Sequence, residues 1–124
     1  MPAPSIFDLD VSRPLTAATD AATTLTAAQL IDGIVTMTPT AGRALTTPTG
    51  AEIIAGLGDT PAVGSTFELT VVNVAAATHA ITLTAGASGV TLAGVAGMAT
   101  VAAASSATYI GRIATASTVI FYRK

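Results

Sequence analysis

TFELTVVNV (residues 66–74) and STVIFYRK (residues 117–124) decide the fold. In the first, Phe67, Leu69 and Val71 recur at every second position, with Thr66, Glu68 and Thr70 between them. That is the two-residue period of a strand with one buried face. In the second, both faces are apolar: Val119 and Phe121 on one side, Ile120 and Tyr122 on the other. A strand apolar on both sides is expected to be covered on both sides. One cover is the domain's own second sheet. The other is either a pair of short helices or a neighbouring subunit. Between these stretches lie HAITLTA (79–85), GVTLAG (89–94), MATVAA (98–103) and ATYIGRIA (107–114), set apart by small turn residues. Six short strands at this spacing predict an all-β domain, a small sandwich or barrel. Its core or subunit interface is predicted at Phe67, Leu69, Val71, Ile110, Val119 and Phe121.

Upstream the punctuation is as regular. Thr26 followed by Gln29, and Thr49 followed by Glu52, are two capping-box patterns. They predict two short helices, the first over Ala27–Asp32 and ended at Gly33, the second ended by Gly56 and Gly58. IVTMT (34–38) and RALTT (43–47) read as strands, each stopped by a proline. Residues 1–24 differ from the rest, with Pro2, Pro4 and Pro14 and three aspartates, Asp8, Asp10 and Asp20. Between the prolines, Ile6, Phe7, Leu9 and Val11 nearly alternate with polar residues. The expected organisation is an extended arm over 1–24 and a β-rich domain over 25–124. The arm's apolar side chains suit strand addition to a partner's sheet edge.

Composition excludes several classes. The chain has 124 residues, of which 27 are Ala, 22 Thr and 11 Gly, and 51% are hydrophobic, so a disordered chain is ruled out. The absence of Cys removes disulfide staples, thiolate metal sites and thiol catalysis. Five basic residues against seven acidic ones give no field that would gather nucleic acid. Residues 69–111 carry no Asp, Glu, Lys or Arg, yet Thr, Ser, Asn or Gly interrupts them too often for a spanning helix of about 20 apolar residues. MPAPSIFDLD lacks the basic start and apolar segment of a signal peptide, so the chain reads as a soluble protein made inside the cell and not a membrane protein.

Little points to catalysis. His79, the only histidine, has no nucleophile or carboxylate near it in sequence. Asp8 and Asp10 fall short of a calcium loop. GLGDTPAVG lacks the GK[ST] ending of a phosphate loop, and Ser105 and Ser106 lie in no nucleophile elbow. No cofactor, no metal and no enzymatic activity are expected. The Thr-x-Thr pairs at 36/38, 38/40, 47/49 and 82/84 fall at irregular spacing, unlike the fixed repeat of a water-ordering solenoid. They read as ordinary strand threonines.

The order of segments resembles a group of tailed-bacteriophage virion proteins. The likeness rests on LTAAQLIDGIVTMTPTAGRALTTPTGAEIIAGL, VGSTFELTVVNVAAATHAITLTAG, GVTLAG and SATYIGRIATASTVIFYRK, and covers residues 25–124. It includes Leu25, Gln29, Arg43, Pro48, Val63, Gly64, Phe67, Val72 and Asn73. The resemblance implies a trimeric β-sandwich or β-tulip-like module found in head decoration (cement) proteins and in head or tail fibres. One module with one arm is closer to the decoration form. The implied partners are the major capsid protein, at local threefold positions, and the chain itself as a homotrimer. The implied location is the outer surface of the virion after synthesis in the host cytoplasm. The arm residues Ile6, Phe7, Leu9 and Val11 would then bind capsid. The alternative is a fibre module that binds a host surface or glycan, for which the five aromatic residues are few.

Overall fold

A computed structural model describes residues 13–58, 61–94 and 97–124. Leu30 and Ile53 anchor two short helices, α1 (Ala27–Leu30) and α2 (Gly50–Gly56), beside ten strands. The strands are β1 (Leu15–Ala17), β2 (Thr23–Thr24), β3 (Gly33–Met37), β4 (Arg43–Thr46), β5 (Thr66–Asn73), β6 (Ile81–Thr84), β7 (Val90–Ala93), β8 (Thr100–Val101), β9 (Ser105–Thr115) and β10 (Thr118–Arg123). They form a six-stranded sheet, β1-β3-β5-β9-β10-β7, and a four-stranded sheet, β2-β4-β6-β8.

The chain changes sheet at each of the first nine strands. As a result β1, β3 and β5 are parallel neighbours in one sheet, and β2, β4 and β6 are parallel neighbours in the other. Parallel neighbours need a long crossover, and here each crossover runs through the opposite sheet. The result is three coils, with α1 inserted before the second visit to the large sheet and α2 before the third. From β9 onward the pattern changes. β9 runs antiparallel to β5, β10 turns back on β9, and β7 is taken in parallel beyond β10.

Both helices begin as the sequence predicts. The Thr26 hydroxyl accepts the Gln29 amide at 3.2 Å and the Gln29 side chain accepts the Thr26 amide at 3.0 Å. Thr49 and Glu52 repeat the exchange at 3.2 and 2.9 Å. The first helix is shorter than expected, ending at Leu30 rather than Asp32. The left-handed residue at the exit is Asp32, with φ 54°. Gly33 serves by its size, because a Cβ there would collide with the Gln29 carbonyl.

One buried cluster joins the two sheets. It takes Val35, Leu69, Val71, Tyr109, Val119 and Phe121 from the large sheet and Leu45, Ile81, Leu83 and Val101 from the small one. Leu30 and Ile53 complete it from the helices. Large side chains are scarce, so fit is tight where they occur. The Phe67 ring stands edge-on to Phe121 at 5.7 Å between centroids and lies over Gly111, its cross-strand partner. A Cβ at position 111 would fall within that ring.

Polar ties hold the crossovers. Asn73, 1% exposed, donates to the carbonyls of His79 at 2.8 Å and Val101 at 2.9 Å, and accepts the Ala75 amide at 3.0 Å. Thr47, also buried, accepts the Gly86 amide at 2.8 Å and donates to the Pro48 carbonyl at 2.9 Å. Asp20 accepts the Thr40 amide and hydroxyl at 3.1 and 2.7 Å and Arg43 Nε at 2.7 Å.

Asp20 lies inside the arm as first delimited. The expected boundary at residue 24 is corrected by this finding: β1 pairs with β3, β2 pairs with β4, and Asp20 fastens the turn between them. Pro14 stands just before β1, a strand at the sheet's edge where a proline is tolerated. Residues 1–12, with Ile6, Phe7, Leu9 and Val11, lie outside the described residues.

Gly111→Ala is expected to cost about 1–3 kcal/mol in chemical denaturation, since the added methyl must displace a ring fixed by Phe121. Asp20 gives a pH prediction. Hydrogen bonds from Arg43 and then Thr40 hold its pKa at about 2, below the ordinary 3.8. Because the folded value is the lower one, its contribution is full above the ordinary value and disappears as pH falls through about 2. The native chain should therefore lose more stability than Asp20→Asn between pH 5 and pH 2. Equal losses would show that the clip is idle.

Candidate interaction surface

Five of the six predicted core or interface residues point inward. Phe67, Leu69, Val71, Val119 and Phe121 are buried within a single chain. Ile110 does not join them. It alternates with buried Tyr109 and Gly111, so it sits half-buried on the outer face of the large sheet.

The two-sided reading of the last strand locates that face. Ile120 is half-buried and Tyr122 is 41% exposed, on the side opposite Val119 and Phe121. α1 and α2 place Leu30 and Ile53 in the core cluster, on the side of β10 opposite Ile120 and Tyr122. Strand register extends the face across the sheet. Glu68, Ile110, Tyr122 and Ala93 form one row, and Arg112, Ile120 and Thr91 the next. Towards the first strands, Leu15, Ile34, Thr70 and Thr108 form a row, beside Ala17, Thr36, Val72 and Ser106. At its centre the Thr70 and Thr108 hydroxyls are bonded at 3.1 Å.

The charges on this face are unequal. Glu68 accepts from Lys124 Nζ at 3.1 Å and from Arg13 at 3.3 Å. Lys124 first and Arg13 second lower its pKa. Arg112 is exposed on the same side, and the Asp32 carboxylate accepts the Glu68 amide at 3.0 Å, so three cations accompany two carboxylates here.

The outer face of the small sheet is of another kind. Thr24, Thr46 and Thr84 are aligned in one row and Ala44, Thr82 and Thr100 in the next. The irregular sequence spacing of the threonines conceals this register, because crossovers of unequal length separate the strands. The array is two rows deep, and the Thr84 hydroxyl turns back to the Thr82 carbonyl at 3.3 Å.

Nothing among the described residues assembles a reactive centre. No pocket opens, and no group of three or more His, Asp or Glu residues could hold a metal ion. His79 contributes its backbone carbonyl to Asn73. Arg123 lies 5.9 Å from the Tyr109 ring centre and donates to the carbonyls of Gly97, Met98 and Thr100. Tyr109 donates its hydroxyl to Met98 at 2.8 Å, and burial raises its pKa. Of the aromatic side chains described, Phe67, Tyr109 and Phe121 are buried, which leaves Tyr122 exposed.

No family model, no curated protein and no solved structure matches the chain.

The two sides of β10 should differ sharply in stability measurements on dilute protein. Phe121→Ala is expected to cost about 3–5 kcal/mol, whereas Tyr122→Ala should stay within about 1 kcal/mol. Similar losses would mean that Tyr122 is packed within the single chain.

Proposed function

We propose that this chain is a structural protein of a tailed-phage particle, a decoration protein that stabilises the shell without performing chemistry. In this reading the two sheets make a small sandwich. Three copies associate, and the trimer sits on the outer capsid surface over local threefold positions, bound to the major capsid protein. The observation that carries the reading is the outer face of the large sheet, where Leu15 and Tyr122 are exposed and Ile34, Val72, Ile110 and Ile120 half-buried among threonines. These apolar side chains form two groups, Leu15, Ile34 and Val72 on one side of the Thr70–Thr108 pair and Ile110, Ile120 and Tyr122 on the other, and apolar groups at a sheet surface suit protein–protein contact. The sequence resemblance over residues 25–124 supplies the class of particle.

The mechanical role follows from linkage. Packaged genome presses outward, and the shell parts at joints between capsid subunits. A trimer touching several subunits holds those joints with contacts that are individually weak, because the second and third form at high effective concentration. A surface with one exposed aromatic among the described residues offers little platform for a sugar, so the decoration form is favoured over a fibre module.

Sedimentation with purified, undecorated heads tests the reading. The protein is expected to pellet with heads at a saturating ratio of three chains per site and to raise the temperature at which they release DNA. Binding to immobilised glycans with no affinity for heads would contradict it.

A further inference from the structure

We propose that residues 5–11 of one copy, SIFDLDV, dock on the outer face of the large sheet of a neighbouring copy. This inference rests on the trimer reading above and names the partner of that face. The chemistry of the two surfaces is complementary. The face offers Ile110, Ile120 and Tyr122 with Arg112 and Lys124 beside them. The segment offers Ile6, Phe7, Leu9 and Val11 with Asp8 and Asp10 between them and no cation. Two like faces would bring cation-rich surfaces together, whereas a face and an acidic segment attract.

Length suits the segment to this face, and the trimer reading makes the receiving face a neighbour's. Seven extended residues span about 23 Å, or about five strand spacings, enough to cross most of the face. The Pro14 carbonyl accepts the Ile34 amide at 2.8 Å, so the chain enters the sheet at its β1 edge. Arg13 precedes Pro14, and a residue before proline is held extended. A patch that receives a different surface of the next copy is a heterologous contact, and a heterologous contact closes into a ring, as a trimer requires, when the rotation between copies is a third of a turn.

Charge exchange in the full-length chain tests this, with native mass followed by sedimentation velocity and folding by circular dichroism. Arg112→Glu is expected to weaken the trimer about tenfold, and so is Asp8→Arg with Asp10→Arg. All three together should restore it to near the original strength, which no loss of folding can imitate. If Arg112→Glu leaves the trimer unchanged, or the combination fails to restore it, the docking is wrong. If the aspartate variants remain trimeric but no longer bind heads, the segment serves the capsid instead: the inference fails and the decoration reading survives. If the unaltered chain is monomeric at every concentration, the trimer reading itself fails and the inference with it.

Discussion

Asn73 ties the two sheets where the chain passes between them. A chain that alternates between sheets has carbonyls and amides stranded at each crossing, away from any regular ladder. Buried groups of this kind cost about 1–3 kcal/mol each when unpaired. At the end of β5, Asn73 satisfies three of them: two carbonyls, from the 75–80 turn and from β8, and one amide. Thr47 does the same at the end of β4. No buried side-chain nitrogen or oxygen among the described residues lacks a partner. With so few large apolar residues, this completeness keeps the coils in register.

Much of this was legible in the sequence. The caps at Thr26 and Thr49, the strand series from Thr66 and the inward side of β10 all appear where local pattern places them. These features depend on neighbours a few residues away. What was not legible depends on pairing across the chain. The coil of parallel strands arises from alternate visits to two sheets, and no repeat of fixed length announces it: Leu15 to Ile34 and Ile34 to Thr70 are unequal steps. For the same reason β1 and β2 were read as part of an arm. A strand of two or three residues has too few positions to show a period, and Asp20 reveals its role only through Arg43 and Thr40, some twenty residues away.

The candidate surface was half legible. Apolarity on both sides of β10 predicts a second cover, and on the outer side Ile120 is half-buried and Tyr122 exposed. Ile110 was expected in the core or a subunit interface, and its alternation with buried Tyr109 puts it on the outer face, since of two neighbours in a strand one faces outward. The positions that carry the phage resemblance are largely structural. Gln29 caps α1, Arg43 clips the first crossover, Phe67 fills the space over Gly111 and Asn73 joins the sheets. The resemblance therefore speaks to architecture, and the argument for association rests on the exposed face.

Light scattering of the unaltered chain over a hundredfold dilution tests the central claim, that this face is covered by other copies. A mass near three times 12.1 kDa, falling towards one chain only at the lowest concentrations, is the predicted result. A mass of one chain at every concentration would contradict it.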